Sequence, residues 1–157
     1  MYHLSTKNLH GVILEPRIPS NFFTKNGYED AKTPRVCFTP TIDQCLMAIS
    51  QNIEGEYLYV HVPVDKPKVY KPSTKQVPDS KVTGELWVKE PVKIKCIGKI
   101  FVEGDAMKDG LPFTYGQHTA ELYEWNWKWV SKKTGLFEST IDESVMRKDI
   151  INYLKKI

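Results

Sequence analysis

The sequence has few of the residues from which metal and redox sites are built. It contains three cysteines, with no Cys-x-x-Cys pair and no histidine at zinc-binding spacing from any of them. Its four histidines are also too far apart in the chain to form a metal-ligand pair: His3, His10, His61 and His118. We therefore expect no metal site, and we interpret Cys37 and Cys45, which lie among apolar residues, as small core residues.

Long hydrophobic runs are also missing. No stretch of about eighteen apolar residues occurs, and the first residues, "MYHLSTKNLHG", lack the apolar segment of a signal peptide. Together with the odd number of cysteines, these absences predict a soluble, reduced, cytoplasmic protein that makes no contact with a membrane.

Neither sign of charge dominates the chain. The 22 basic and 19 acidic residues give a net charge of +3, which is too small to indicate nucleic-acid binding. The lysines are spread out, as on an ordinary solvated surface, although a phosphate-bearing ligand remains allowed. With 157 residues, 41% of them hydrophobic and 26% charged, we expect one globular domain, 1–157.

Several nucleotide-binding and hydrolytic motifs are absent. The chain has neither Gly-x-Gly-x-x-Gly nor Gly-x-x-x-x-Gly-Lys-[Ser/Thr], so nothing indicates a Rossmann dinucleotide site or a P-loop. It has neither His-Glu-x-x-His nor Gly-x-Ser-x-Gly, which argues against a metalloprotease and a serine hydrolase.

The chain instead contains a series of strand-like segments. Thr41 is placed to cap a helix over residues 42–51, and a capping box of Thr140 and Glu143 starts a helix near the C terminus. A further helical segment is expected within 8–14. Alternating patterns predict about six strands, at 2–5, 35–39, 56–64, 84–88, 92–102 and 121–130. Because the strands are grouped, we expect an α+β fold with mostly antiparallel sheets and two or three helices.

Two long polar segments connect these elements. Residues 15–34 contain three prolines and a glycine, and residues 68–82 are also polar and proline-bearing. We expect both to be extended connections. A loop as long as the first one is usually either functional or disordered.

The segment "ELYEWNWKWV" places four aromatic residues on one face of a strand: Tyr123, Trp125, Trp127 and Trp129. Such a face is more often packed into a core, here against the final helix. If it were exposed, it would form a binding platform for a partner protein, or for single-stranded nucleic acid together with the nearby lysines. Burial of the tryptophans distinguishes these alternatives.

A few polar residues on or beside the predicted strands are candidates for a ligand site. His3 lies inside the first strand, where a lone histidine is commonly an ordinary edge residue. Arg35 opens a strand, and its planar guanidinium suits phosphate or carboxylate, although a surface ion pair with Glu15 or Glu29 is an equal alternative. Glu85 follows a glycine at a strand start, which by itself indicates an ordinary turn.

The order of these segments is similar to that in a known family. "YHLS", then "PRVCFT" ahead of a helix, then "GELWV" and "PVKIKCIGKI" resemble the ADP-ribosyltransferase-like family. The likeness is to its histidine branch, which includes diphtheria-toxin-like enzymes, RNA 2′-phosphotransferases and DNA-modifying ADP-ribosyltransferase toxins. It covers residues 1–101 and implies a core with a split β-sheet. The Trp-rich strand and the last helix, within 102–157, lie outside it.

The resemblance implies a site for NAD, which such enzymes use as a substrate. By this comparison His3 bonds a ribose hydroxyl of NAD, and Ser5 helps to shape the same pocket. Glu85 matches the glutamate of the family's last motif, so His3 and Glu85 are the implied catalytic residues. A carboxylate beside the ribose stabilises the positive charge that builds up when the nicotinamide–ribose bond breaks.

The remaining implied contacts come from the second motif and from two arginines. Phe38 and Thr39 are expected beside the nicotinamide, although the motif lacks the usual tyrosine, for which Tyr28 is a possible substitute. Arg17 and Arg35 are expected at the rim of the cleft, where they would bind the pyrophosphate or a nucleic-acid phosphate, and the alternative is a place at the edge of the core. The candidates for stacking on the nicotinamide ring are Phe38, Tyr57 and Tyr59.

The activity implied by the resemblance is NAD-dependent transfer of ADP-ribose to a macromolecular acceptor, either a protein or a nucleic acid. If the chain is such an enzyme, His3, Thr39 and Glu85 should meet in one cleft, with 15–34 as its lid. The alternative is a non-catalytic domain of the same fold that binds a nucleotide or a partner protein, because fold alone does not confer activity.

Overall fold

The computed structural model describes residues 1–49, 53–106, 111–115, 117–122 and 125–133. Within these residues the chain forms ten strands and three helices. The strands are β1 (His3–Ser5), β2 (Ile13–Leu14), β3 (Val36–Phe38), β4 (Tyr57–Pro63), β5 (Val69–Tyr70), β6 (Leu86–Val88), β7 (Val92–Ala106), β8 (Leu111–Tyr115), β9 (His118–Leu122) and β10 (Trp125–Trp129). The helices are α1 (Phe22–Lys25), α2 (Ile42–Ile49) and α3 (Ser80–Thr83). All strand pairs among the described residues are antiparallel, which confirms the predicted α+β class with mostly antiparallel sheets.

The first sheet has five strands, in the order β1-β4-β7-β10 with β2 paired to the start of β7. Leu58, Val60 and Val62 of β4 point to one face of this sheet and are buried there. Helix α2 packs on the same face, because its buried side chains belong to the same core cluster. The predicted cap of α2 is confirmed: the hydroxyl of Thr41 accepts a hydrogen bond from the backbone N–H of Gln44 at 3.1 Å.

The second sheet has three strands, in the order β3-β6-β5, and it meets the first sheet at a backbone bridge. Tyr2 and Thr39 exchange both backbone N–H···O bonds there, at 2.8 and 3.0 Å. Beyond this bridge β1 pairs with β4 and β3 pairs with β6, so the two sheets diverge. The divergence leaves a space between them, lined by side chains of β1, β3 and the start of β6.

The tryptophan face of β10 belongs to the core of the first sheet. Trp125, Trp127 and Trp129 are only 7%, 2% and 8% exposed, and they cluster with the buried residues of α2. The indole N–H of Trp127 donates to the Oδ1 of Asp43 in α2 at 2.8 Å. The interpretation as a core face is therefore confirmed, with α2 as a packing partner, and the binding-platform alternative is removed. Tyr123 lies outside the described residues.

The structure differs from the prediction in several connecting segments. Residues 8–14 are not helical, because Gly11 forms a turn with a φ of 80° and the chain then pairs as β2 with β7. The segment 15–34 contains α1, whose first turn is capped by the side chain of Asn21, and residues 68–82 contain β5 and α3. Pairing with distant strands formed β2 and β5, and local sequence does not reveal such partners.

The helix predicted from the capping box of Thr140 and Glu143 lies outside the described residues. In the part of the chain that is described, no helix is long and apolar enough to cross a membrane.

Gly98 of β7 is required by the packing of Trp129. A Cβ atom at position 98 would lie 2.6 Å from the Cζ3 atom of the Trp129 ring, closer than two carbon atoms can approach. We predict that Gly98→Ala lowers the free energy of unfolding by about 1–3 kcal/mol, because the indole would have to leave its place in the core. Urea denaturation followed by tryptophan fluorescence measures this change.

The matched test combines this change with Trp129→Phe, which removes the benzo ring that the new Cβ would strike. Gly98→Ala should cost much less in the Trp129→Phe background than in the wild type, because the clash is gone. Equal costs in the two backgrounds would contradict the packing argument.

Candidate functional site

A cavity of about 370 Å³ lies between the two sheets, within the size range of small-ligand sites. It is lined from β1, from the segment 19–29, from β3, from α2 and from the residues around α3. Among the described residues it contains three acidic side chains, Glu29, Asp79 and Glu85, and we call it the acidic cavity. Five of the predicted site residues line it: His3, Arg35, Phe38, Thr39 and Glu85. The expected meeting of His3, Thr39 and Glu85 in one cleft is therefore observed.

Glu85 is placed in the cavity by the end of α3. Gly84 ends this helix in the left-handed conformation, with a φ of 63°, and its backbone N–H bonds the Ser80 carbonyl oxygen at 2.9 Å. A Cβ atom at position 84 would lie 2.6 Å from the Nε2 of Gln44, which can move aside, so the left-handed backbone is the main reason for glycine here. The chain then enters β6 with Glu85 as the residue before its first strand position.

The carboxylate of Glu85 is held in one orientation by its neighbours. Its Oε1 accepts a hydrogen bond from the indole N–H of Trp87 at 2.6 Å, and the Sγ of Cys37 donates to the same oxygen at 3.3 Å. The Nε of Arg35 lies 3.8 Å from this oxygen. The position and direction of the negative charge are thus set before any ligand arrives.

Arg35 lies beneath the acidic cavity and not at its rim. Only 2% of the residue is exposed, so the predicted rim position is wrong. Its Nη1 donates to the backbone carbonyls of Asp30 and Thr33 at 2.9 and 3.0 Å, and its guanidinium lies 4.3 Å from the centre of the Trp87 ring. The Nε atom has no hydrogen-bond acceptor among the described residues. The alternative of a surface ion pair with Glu15 or Glu29 does not hold for Arg35, which is buried and pairs with Asp30 and Glu85.

His3 is half-buried on β1 with one ring nitrogen already committed. Its Nδ1 lies 3.2 Å from the carbonyl oxygen of Cys37, and since a carbonyl only accepts, Nδ1 carries the proton. Burial lowers the pKa of His3, the bond to the Cys37 carbonyl opposes that effect, and the positive charge of Arg17 lowers it further. The neutral ring therefore presents Nε2 as a hydrogen-bond acceptor.

Phe38 and Thr39 line the acidic cavity from the core side. Phe38 is 1% exposed and packs edge-on against His3, with ring centroids 5.9 Å apart, so its face is not available for stacking. Thr39 is 3% exposed, and its hydroxyl donates to the Thr41 carbonyl at 2.8 Å. Tyr57 and Tyr59 line neither this cavity nor the larger one beside it. The centres of their rings lie 4.9 and 5.8 Å from the Nζ of Lys99.

The aromatic surface of the acidic cavity comes from α1. Phe22 and Phe23 line it, and Phe22, which is 52% exposed, stacks on Tyr28 with ring centroids 6.2 Å apart. Tyr28 itself does not line the cavity. Neither phenylalanine was among the predicted site residues, although a pair of large apolar residues inside a polar, proline-bearing segment is a visible signal.

A second cavity of about 910 Å³ adjoins the first and is lined largely by residues 3–21, so we call it the N-terminal cavity. Ser5 and Arg17 line it, together with Lys7, while His3 and Arg35 line both cavities. Arg17 is exposed, and its backbone pairs with that of Arg35. The predicted site residues are therefore divided between two adjoining cavities, with His3 at their junction.

Glu29 and Asp79 are ionisable residues of this site that were not among the predicted site residues. Glu29 is half-buried in the wall of the acidic cavity, on the loop that follows α1. Burial, followed by the negative charges of Glu85 and Asp79, raises the pKa of Glu29 to about 7, against smaller opposing effects of Arg35 and Asn21. Asp79 is itself buried, at 6% exposure.

The two cysteines near the cavity are not poised as nucleophiles. Burial, and then the neighbouring Glu85 carboxylate, raise the pKa of the Cys37 thiol far above its ordinary value. Burial raises the pKa of Cys45 to about 11. Both thiols are therefore protonated near neutral pH, which agrees with their interpretation as core residues. Within the described part of the chain, no three His, Cys, Asp or Glu side chains are grouped so that they could hold a metal ion.

No known protein family, curated protein or solved structure matches this chain. Its function is therefore argued from the two cavities and from the groups that line them.

Removing the buried guanidinium should strongly destabilise the protein. We predict that Arg35→Met lowers the free energy of unfolding by about 3–5 kcal/mol, because Asp30 and Glu85 lose their common cation. The exposed Arg17 is the matched control, and Arg17→Met should change stability by no more than about 0.5 kcal/mol. Similar losses in the two variants, measured by urea denaturation, would contradict a structural role for Arg35.

The raised pKa of Glu29 predicts a pH dependence of stability. The unfolded chain releases this proton near the ordinary value of 4.5, whereas the folded protein holds it to about pH 7. Between these values the folded state binds more protons, so this group makes stability fall as pH rises. Glu29→Gln should therefore be more stable than the wild type at pH 8 by up to about 3 kcal/mol, with little difference at pH 4.5.

Thermal unfolding at several pH values measures this difference. The exposed Glu54 provides the control, because Glu54→Gln should differ from the wild type by the same small amount at every pH. A pH-independent difference for Glu29→Gln would show that the Glu29 carboxyl group has an ordinary pKa in the folded protein.

Proposed function

We propose that the chain binds NAD across the two adjoining cavities and transfers its ADP-ribose group to a macromolecular acceptor, either a protein or a nucleic acid. One observation carries this proposal. A histidine from β1 and a glutamate from the start of β6, far apart in the sequence, line a single cavity between two antiparallel sheets. This combination is the one that the resemblance to ADP-ribosyltransferase-like proteins implies.

The carboxylate of Glu85 suits the chemistry of the bond that breaks. Departure of nicotinamide leaves positive charge on the ribose, and a fixed negative charge beside that ring lowers the barrier. The hydrogen bond from Trp87 and the nearby guanidinium of Arg35 hold the Glu85 carboxylate in place, so little reorganisation is needed when the charge develops.

His3 suits the task of orienting the ribose. Because its Nδ1–H is directed to the Cys37 carbonyl, the neutral ring offers Nε2 as an acceptor for a ribose hydroxyl. A sugar held by such a bond keeps its reactive carbon at a constant distance from Glu85, which is a positioning effect and requires no change in the protonation of His3.

The distribution of charge between the cavities suits the two ends of the dinucleotide. Lys7 and Arg17 line the N-terminal cavity, which also holds the acidic Glu15, and they can bind the pyrophosphate, a role that buried Arg35 does not fill. The acidic cavity favours the end of NAD on which positive charge resides, and Phe22 and Phe23 offer apolar surface for the nicotinamide.

A non-catalytic, nucleotide-binding domain is the second candidate. The contacts of Glu85 with Trp87, Cys37 and Arg35 favour it, because the same contacts would serve a purely structural carboxylate. In that case NAD or a related nucleotide would bind in the cavities without losing nicotinamide.

Two substitutions separate these functions. We predict that NAD binds to the wild type, that His3→Ala weakens binding by roughly tenfold, equivalent to about 1.4 kcal/mol, and that Glu85→Gln leaves binding almost unchanged. Glu85→Gln should lower the rate of nicotinamide release by roughly 100-fold or more. Calorimetry measures the binding, and chromatography of released nicotinamide measures the reaction.

The exposed residues His10 and Glu90 provide matched controls, since His10→Ala and Glu90→Gln change the same residue types outside the acidic cavity. Binding without nicotinamide release by the wild type would support the non-catalytic function. No detectable heat on adding NAD at millimolar concentration would exclude the transferase and would leave the non-catalytic domain only with a nucleotide other than NAD.

A further inference from the structure

The acidic cavity brings together carboxyl groups from three separate segments of the chain. Glu29 comes from the loop after α1, Asp79 from the residue before α3, and Glu85 from the start of β6. Arg35 is the arginine beneath them, and its charge is shared between Asp30 and Glu85 at 3.7 and 3.8 Å. The three groups therefore have different environments although they line one space.

Glu29 differs from Glu85 in its partners. Within the described residues no cationic nitrogen lies within 4.0 Å of the Glu29 carboxyl group, and its neighbour is the neutral side chain of Asn21. Glu85, by contrast, accepts the Trp87 N–H and faces a guanidinium. Two carboxyl groups in one cavity that differ in this way are suited to different roles, one as a fixed charge and one as a proton carrier.

Glu29 is also held in place by backbone bonds. Its N–H and that of Tyr28 both bond the Phe23 carbonyl, at 3.3 and 2.9 Å, and the next residue, Asp30, donates its N–H to the Gln76 carbonyl at 2.8 Å. The loop is thus tied to α1 on one side and to the segment before α3 on the other. A side chain mounted in this way keeps its place in the cavity wall.

We propose, on the basis of the proposed function, that Glu29 is a second catalytic carboxyl group, which accepts the proton of the incoming nucleophile while Glu85 stabilises the charge on the ribose. In this step the bond between ribose C1′ and the nicotinamide nitrogen breaks, and its electron pair goes to nicotinamide, which leaves neutral. An oxygen or nitrogen lone pair of the acceptor forms the new bond to C1′. The proton of that acceptor group moves to the Glu29 carboxylate and later passes to solvent.

The titration of Glu29 fits this role because its pKa of about 7 is close to neutral pH. Several other groups face the same cavity and bear on any pH dependence. The ionisable side chains that line it with Glu29 are His3, Arg35, Cys37, Cys45, Asp79 and Glu85. Burial lowers the pKa of His3 and raises the pKa values of the two thiols, so these shifts move their transitions away from pH 7.

The experiment uses the full chain with NAD as the substrate and water as the nucleophile, so no acceptor has to be identified. Nicotinamide release is measured from pH 5 to pH 9 for the wild type, Glu29→Gln and the control Glu54→Gln. The wild-type rate should rise with pH to a plateau, with its midpoint near pH 7. Glu29→Gln should lower the plateau by roughly 100-fold and remove the midpoint, with the KM for NAD changed less than about threefold.

The outcomes separate this inference from the function on which it rests. A flat, slow profile for Glu29→Gln, beside a Glu54→Gln profile like that of the wild type, supports the role of Glu29. A Glu29→Gln enzyme with the wild-type profile overturns that role and leaves the proposed function intact. Wild-type protein that binds NAD but releases no nicotinamide overturns both. Glu29→Asp, which retains a carboxyl group, should restore a pH-dependent rate, which a merely structural role would not predict.

Discussion

The buried guanidinium of Arg35 is the group on which the geometry of both cavities depends. A charge removed from water is costly unless hydrogen bonds and counter-charges replace its hydration. On one side of Arg35 lie the backbone carbonyls of Asp30 and Thr33 and the carboxylate of Asp30. On the other side lies the carboxylate of Glu85. The ring of Trp87 covers its face. The loop after α1 and the start of β6 must therefore lie where they do, because both satisfy the same buried cation.

This constraint explains why acidic residues gather in the cavity. Arg35 pairs with Glu85 at the cavity wall, and the loop that carries Asp30, the second partner of Arg35, brings Glu29 to the same space. The single positive charge of Arg35 cannot neutralise all the carboxyl groups around it, namely Asp30 and the three that line the acidic cavity. Burial, and then the negative charges of Glu85 and Asp79, raise the pKa of Glu29, so this group keeps its proton to a higher pH. One structural ion pair thus produces a fixed charge and a neighbouring proton-binding group.

Sequence patterns predicted the parts of this structure that depend on local periodicity. Strand-like patterns predicted β1, β3, β4, β6, β7 and β10, but not β2 and β5, which complete the two sheets. Thr41 predicted the start of α2, and the tryptophan face was correctly interpreted as core. The family resemblance, which rests on the order of short segments, predicted that His3 and Glu85 would line one cavity, and both do. Burial of Arg35 could not be predicted, because a charged residue at a strand start is usually exposed and its partners lie in two distant segments. Glu29 was missed for the same reason, since its environment is made by tertiary contacts.

The protonation of the histidines limits how the site can work. His3 and His61 lie opposite each other on β1 and β4 with ring centroids 6.3 Å apart, and His61 is fully buried. Leu9 donates its N–H to the Nε2 of His61 at 2.9 Å, and burial lowers the pKa of both rings. Two neutral rings at this spacing avoid mutual repulsion, and a neutral His3 does not repel a ribose that gains positive charge. In the proposed reaction, the carboxyl groups must therefore stabilise the positive charge that develops on the ribose. The role proposed for His3 is to orient the sugar.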